Sequence, residues 1–422
     1  MQRVGRRIPV VERPEWRQWV TPTLLRLSPV HRWFVFPHSY TGELVETLLR
    51  EWGLQRGARV LDPFAGAGTT AVTAQSLGMT ALAFDLSPLA VLASRVKTSV
   101  LHAADVAGGW ARIQRSLNRR RATQVPRYPD LVNRALPGNL LATFHTVKLA
   151  IERSCGDAPA RDFFMLALLG VLPKFSKLVA TGGWLSFRCG GRRATSLSEE
   201  LAKQVSLMID DLRQRSTDLP DAQVEVADAR VLPLEDQSVD AAITSPPYVN
   251  RHDYTRVFGV ELLFALLNDD QIKPLRYQSF QSHPEAHPNR PSNGSYRQPR
   301  ALARLLSQLK TESGDPRIPR MLEGYFKDIH CMLAELARIL RPGARAAVVI
   351  GNVQYNGVAF PVDEITARIG ERFHLSPERL VVARYRGNSA QQMAAFGRKP
   401  ARESVVILRK VRTSTSQTNG TP

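Results

Sequence analysis

Residues 59–71 read RVLDPFAGAGTTA. Val60 and Leu61 form a short apolar run, which Asp62 and Pro63 close. Gly66 and Gly68 then stand directly before TTAVTAQSLG, a stretch of helical composition. The pattern predicts a buried strand, a tight turn and a helix. Glycine at such a turn lets the backbone bend sharply and lets a ligand approach without meeting a Cβ. No lysine follows the second glycine, so the loop is not a P-loop. With Ala71 in the third glycine position it matches a dinucleotide-type fingerprint. Taken alone, the same residues also suit a tight turn that binds nothing.

The neighbouring sequence extends the pattern. ALAFDLSP (81–88) is a second strand with Asp85 at its end, and LAVLASRVKTSVL (89–101) is helical again. Together with the first strand this makes a βαβ unit, the start of an α/β doubly wound sheet. An acidic side chain at the end of the second strand can bind a ribose diol. After a gap the sheet resumes in AQVEVADARVLP (222–233), which puts Asp228 at a strand end. A carboxylate there can accept from an adenine amine; a turn cap is the plain alternative. A ligand carrying adenosine and a charged tail would use all of these features. S-adenosyl-L-methionine (AdoMet) is such a ligand, and Asp62 is the candidate partner for its ammonium.

AAITSPPY (241–248) raises the chemical question. An apolar strand stops at two prolines, each of which removes a backbone donor and fixes φ. The loop therefore offers the Ser245 hydroxyl, stiffly held carbonyls at Pro246 and Pro247, and the Tyr248 ring. The exocyclic amine of a nucleobase is a poor nucleophile, because its lone pair is delocalised into the ring. To attack a methyl group it must pyramidalise, and fixed acceptors for its protons favour that change. An aromatic ring can stack on a base taken out of its helix.

Two long segments fall outside this core. Residues 100–221 lose the strand–helix alternation and read as a helical insertion. It includes the basic run Arg119, Arg120 and Arg121, the apolar helix RDFFMLALLGVLPKFSKLV (161–179) and the glycine- and arginine-rich loop TGGWLSFRCGGRRATS (181–196). Residues 255–320 are read as an irregular insertion, helical over 255–267 and least regular over 273–320, where SHPEAHPNRPSNGSYRQPR (282–300) has no period. This segment and the helical insertion are both basic, and target recognition and DNA binding are left open between them. Residues 1–40 are read as a basic N-terminal arm, 41–99 and 222–410 as the core, and 411–422 as a disordered tail.

The 422 residues carry a formal net charge of +19. A surplus of that size points to a polyanionic partner, nucleic acid first and membrane surface second, against the plain reading of a solubilising surface. Arg192 and Arg193, with Lys174, Lys177 and Trp184 nearby, form a second basic cluster able to follow phosphates. Cys155, Cys189 and Cys331 form no C-x-x-C pair, which argues against a disulfide framework and a cysteine zinc site. No metal site is expected. No stretch is apolar enough to span a bilayer and no secretion signal is visible. The expected compartment is the cytoplasm.

Together, VLDPFAGAGTT and SPPY resemble the DNA amino-methyltransferases, which methylate cytosine N4 or adenine N6. The resemblance implies a class I (Rossmann-like) methyltransferase: an α/β fold with a mostly parallel seven-stranded sheet whose late strands form an antiparallel hairpin, here with a helical insertion. It also implies AdoMet as cofactor, contacted by Asp62, Pro63, Phe64, Gly66, Gly68 and Thr69, with Asp85 on the ribose and Asp228 on the adenine. Ser245, Pro246, Pro247 and Tyr248 would grip the target base. The continuation YVNRHDYTR would bring Asn250, Asp253, Tyr254 and Arg256 beside that base; loop capping and surface charge are the alternatives for these four. The serine form of the tetrapeptide is the more typical of cytosine-N4 enzymes. DNA is the implied partner, together with a cognate restriction endonuclease or other defence component. Adenine-N6 transfer, an RNA substrate and a non-catalytic nucleic-acid-binding module on the same fold are the competing readings. An NAD enzyme would share the glycine loop but leave SPPY without a role. A cytosine-C5 enzyme would typically need a cysteine after proline, and none is present.

Overall fold

The computed structural model describes residues 7–119, 124–181, 184–187, 196–291, 296–312, 315–387, 397 and 400–412. In chain order its strands are β1 (Val10–Glu12), β2 (Arg59–Asp62), β3 (Thr80–Asp85), β4 (Leu178–Thr181), β5 (Trp184–Phe187), β6 (Ala222–Val226), β7 (Val239–Thr244), β8 (Leu340–Gly351), β9 (Val353–Tyr355), β10 (Val358–Phe360), β11 (Leu375–Arg386) and β12 (Ala401–Lys410). Eight of them form one sheet in the order β1-β11-β12-β8-β7-β2-β3-β6. Every pairing is parallel except the two made by β12, which runs against both β8 and β11. The expected antiparallel pair of late strands is therefore β11 and β12. The seven expected strands are all present, and an eighth, β1, adds to the edge through Val10↔Leu380.

Side-chain alternation explains why these strands read as unbroken apolar runs. Val60, Ala81, Ala83, Ala241 and Ile243 face one hydrophobic cluster, while Leu61, Leu82, Phe84 and Ala242 face another. Both faces of the central strands are covered, so those strands need no polar side. Helices Gly42–Glu51 and Thr69–Ser76 contribute to the first face, and helices Arg317–Ile339 and Val362–Gly370 to the second.

A third cluster holds the insertion together. Helices Ala103–Asn118, Asn139–Ser154, Ala158–Phe175 and Leu197–Gln214 pack around fully buried Phe144, Phe163, Phe164 and Leu168. Each such side chain contributes about 1.5–3 kcal/mol by leaving water. Pro173 sits near the end of its helix, which stops at Phe175.

Three boundary expectations need correction. Part of the N-terminal arm is built into the body: Trp16, Trp33 and Tyr40 are buried. The buried Asp211 carboxylate accepts from the Val30 backbone at 2.8 Å and from Trp33 Nε1 at 2.8 Å. Such buried polar bonds need matching partners on both sides, which single-segment periodicity does not reveal. Within 255–320 the helix expected over 255–267 is present as Gly259–Ala265, but the stretch read as irregular also contains helices Asp269–Gln278 and Arg300–Glu312; the first of these opens with an Asn268–Gln271 capping box. The expected glycine–arginine loop contributes the antiparallel β4–β5 pair. Of the expected tail, 413–422 lies outside the described residues.

Candidate active site

The chain runs outward from β2 through β3 to β6, then returns to lay β7 against the other side of β2. Ligands of open α/β sheets bind at such a reversal, beyond the strand carboxyl ends. A cavity opens there, and it is lined from both directions. Asp62, Pro63, Phe64, Gly66, Thr69 and Asp85 reach it from the first half of the sheet, and Asp228, Ser245 and Pro247 from the second. Motifs about 180 residues apart in sequence thus meet at one site.

The glycine loop is what the turn requires. Gly66 and Gly68 have φ of 49° and 82°, a region that disfavours side chains. A Cβ on Gly68 would lie 3.0 Å from Ser94 Cα. The loop's Ala67 carbonyl accepts from the buried Lys97 ammonium at 2.9 Å, which also donates to His31 and Phe34 carbonyls at 3.0 and 2.6 Å. Burial pushes the Lys97 pKa down to about 7.

Asp62 is buried at the end of β2. It accepts from Thr244 Oγ1 at 2.6 Å, the Phe64 backbone at 3.1 Å and the Tyr40 hydroxyl at 2.8 Å. Burial nevertheless raises its pKa. Asp85 accepts from the Gly66 backbone at 3.0 Å and the Ser87 backbone at 2.9 Å, and burial pushes its pKa up to about 6. A carboxylate offers roughly four acceptor sites. Among the described residues neither Asp62 nor Asp85 forms an ion pair. A buried, unpaired carboxylate is costly unless a cation or donors arrive. An ammonium suits Asp62, and a ribose diol suits Asp85 at the end of β3. The residues present fit AdoMet.

Asp228 departs from expectation. Its oxygens accept from Arg230 N, Nε and Nη2 at 3.0, 2.8 and 2.6 Å and from Gln278 Nε2 at 3.2 Å. All four acceptor sites are occupied, so the turn-and-ion-pair reading replaces the adenine acceptor. Arg230 is itself buried between Asp228 and Asp328.

In the proline loop Ser245 and Pro247 are half-buried on the cavity and Pro246 is buried. Among the described residues nothing donates to the Pro246 carbonyl. Tyr248 is buried, and its hydroxyl donates to Glu403 Oε1 at 2.8 Å. Burial, then the Glu403 charge, raises its pKa well above the ordinary phenol value.

The continuation divides. Tyr254 lines the cavity, stacked at 6.5 Å on Phe258. Asn250 is exposed and caps its own turn through the His252 backbone at 3.2 Å. Asp253 is buried; it caps helix Tyr254–Val257 and pairs with Arg256 and Arg276 at 3.1 and 2.9 Å. Asn250 and Asp253 thus both make the capping contacts offered as the alternative to base contact. Arg256 lies 4.2 Å from the ring centre of exposed Trp184. Lys174 is committed to Glu200 at 2.8 Å, while Lys177 is exposed. Arg119 shares a shallow cleft with Arg112, Arg115 and Arg153. Arg120, Arg121, Arg192 and Arg193 lie outside the described residues.

Sequence reading missed Tyr40, His38 and Phe36, which line the cavity from the N-terminal segment. It also missed Thr244 and Glu403. No motif marks the N-terminal three. Thr244 had a signal, since it ends the strand that carries SPPY.

The sheet order and the glycine loop beside Asp62 and Asp85 fit an AdoMet-dependent methyltransferase. The chain's relatives agree along nearly its whole length. It is 25% identical over 464 aligned residues to the Type II methyltransferase M.BsoBI of Geobacillus stearothermophilus, covering 96% of this chain and 90% of that protein. It is 27% identical over 428 to the Type II methyltransferase M.AvaI of Nostoc sp., covering 91% and 87%. No protein-family model matches. Among solved structures it is similar to geranyl diphosphate C-methyltransferase of Streptomyces coelicolor A3(2), at 8% identity and a TM-score of 0.31 over 87% of this chain and 79% of that one. It is also similar to an AdoMet-dependent methyltransferase of Aquifex aeolicus, at 10% identity and 0.29 over 86% and 89%. Among the described residues no helix is long and apolar enough to cross a membrane.

Proposed function

We propose that this protein is a site-specific DNA methyltransferase that modifies an exocyclic amine, cytosine N4, on a base turned out of the duplex. One observation carries the reading: Ser245 and Pro247 share a cavity with Gly66 and Asp85. An SPPY loop beside an AdoMet-type cradle has a direct use in amine methylation.

When bound, AdoMet supplies an electrophilic methyl on a sulfonium. Asp62 would hold the ammonium and Asp85 the ribose hydroxyls, while Gly66 and Gly68 keep the loop close to the ligand. Ser245 Oγ and the Pro246 carbonyl accept from the two amine protons and so favour the pyramidal nitrogen that attacks. The prolines hold the Pro246 carbonyl in place before the reaction, so little reorganisation is needed there as charge develops. Tyr248 sits at the same loop to carry the base. The chemistry would need no covalent enzyme intermediate. Preference for cytosine N4 over adenine N6 rests on the serine of the tetrapeptide.

The DNA would lie across the face that carries Trp184, Arg256 and Lys177, with the helical insertion and residues 255–320 beside it. Phosphate neutralisation there is consistent with the net charge of +19. The Type II names of the relatives support a cognate restriction endonuclease as a partner.

The test is mass spectrometry of nucleosides from unmethylated DNA incubated with the protein and AdoMet. N4-methylcytosine is expected. N6-methyladenine would keep the chemistry and correct the base. Methylation of RNA alone, or AdoMet binding with no transfer, would overturn the DNA reading.

A further inference from the structure

Glu403 lies on β12 directly opposite Gly351, the last residue of β8. It is buried, and no sequence motif marks it. Its carboxylate accepts the Tyr248 hydroxyl at 2.8 Å, pairs with Arg384, and lies 3.7 Å from Arg386. The Arg386 guanidinium sits over the Tyr248 ring, 5.3 Å from its centre. Gly351 completes the pocket, since a Cβ there would stand 3.2 Å from Tyr248 Cδ2. The tyrosine is thus held at its hydroxyl, covered on one face, and flanked by backbone with no side chain.

A buried carboxylate next to two guanidiniums needs no tyrosine for charge balance. What its remaining acceptor capacity does is fix the direction of the phenol axis. A stacking ring is useful only if its plane is set before the base arrives, because ordering it afterwards costs conformational entropy. The ring is 4% exposed and does not itself line the cavity; the His38 ring, which does, lies 6.1 Å from it.

We propose that Glu403 is a positioning residue for the target base: it acts through Tyr248, with Arg384 and Arg386 balancing its charge and Gly351 making room. The inference rests on the methyltransferase reading of the SPPY loop.

The experiment compares Tyr248→Phe, Glu403→Ala, Glu403→Gln and the double variant Tyr248→Phe/Glu403→Ala. Single-turnover methylation, the KM for DNA and AdoMet affinity are measured for each. Tyr248→Phe and Glu403→Ala should each slow transfer about tenfold, with AdoMet affinity unchanged. The double variant should be no slower than either single one, since both remove the same bond. Glu403→Gln keeps an acceptor oxygen and should retain most of the rate. Multiplying losses in the double variant, or a wild-type rate in Glu403→Ala, would overturn the proposal.

Carbon-13 tyrosine NMR supplies a readout independent of turnover. The Tyr248 ring signal, identified by its loss in Tyr248→Phe, should shift in Glu403→Ala and stay in Glu403→Gln. An unmoved signal in Glu403→Ala overturns the positioning role even if the wild-type protein methylates no DNA. A shifted signal with no DNA methylation by the wild type would sustain the ring-locking contact and overturn the reading of its substrate.

Discussion

Tyr40 donates its hydroxyl to the Asp62 carboxylate at 2.8 Å, joining the N-terminal segment to the end of β2. The same hydroxyl lies 3.2 Å from the Ile243 carbonyl of β7, so one side chain ties together both halves of the cavity. Tyr40→Phe removes the donor and leaves Asp62 with one bond fewer in a buried place. Losing a hydrogen bond to a charged group costs about 1.5–3 kcal/mol. Thermal unfolding should show a loss in that range, and calorimetry should show AdoMet binding weakened several-fold. Wild-type affinity in Tyr40→Phe would separate the N-terminal segment from the cofactor site.

Asp85 gives the site a pH dependence. Its pKa rises from 3.8 to about 6 on folding, chiefly through burial. Between those values the folded protein binds more protons than the unfolded chain, so this group's contribution to stability falls as pH rises from about 4 to 6. Hydroxyl donors need the ionised form, so binding changes in the opposite sense. AdoMet affinity should increase from pH 5 to 7 and level off above. Asp85→Asn should weaken binding about tenfold, consistent with loss of charge-assisted hydrogen bonds, and flatten this portion of the profile. A slope that survives in Asp85→Asn would assign it to another group, with Asp62 the first to examine, since its pKa is also raised.

Gly68 is constrained twice. Its φ of 82° disfavours any side chain, and an added Cβ would meet Ser94 Cα at 3.0 Å. The backbone cost alone is about 1–3 kcal/mol, and the clash must move either the loop or helix Pro88–Thr98. Gly68→Val should therefore abolish measurable AdoMet binding by calorimetry. An unaltered affinity would remove the glycine loop from the site.

The parts of this protein visible in its sequence are those where one short segment carries the whole signal. Strands β2, β3 and β7 are apolar on both faces, so their runs stand out. Gly66, Gly68, Asp62 and Asp85 lie within the local strand–turn–helix pattern, and Ser245 with its prolines forms a local stop. What stayed hidden depends on partners far away in the chain. Asp228 looks like an open acceptor until Arg230 folds back on it and Gln278 comes in from a later helix. Trp33 looks like part of a loose arm until Asp211, 178 residues on, accepts its indole. Glu403 reads as one more charge on a strand until the sheet brings it to Tyr248. Asp253 and Asn250 are ambiguous in sequence because capping and base contact use the same residue types.

Trp184 separates DNA contact from cofactor binding. It is 59% exposed on β5, and Arg256 stacks on it at 4.2 Å. Arg256 follows closely on Tyr254, which lines the cavity, so the hairpin stands near the entrance. An exposed aromatic contributes little to folding, and Trp184→Ala should change stability by only about 0.5 kcal/mol. Stacking on a base is worth about 1–3 kcal/mol. Trp184→Ala should therefore raise the KM for DNA roughly 5- to 150-fold with AdoMet affinity unchanged. Lys177→Gln is the matching probe of a phosphate contact: it should weaken binding to all sequences alike and reduce the salt slope by about 1. Fluorescence anisotropy with target and scrambled duplexes, at several salt concentrations, distinguishes the two effects. Wild-type DNA binding in both variants would move the interface elsewhere, with the cleft of Arg112, Arg115, Arg119 and Arg153 the next surface to mutate.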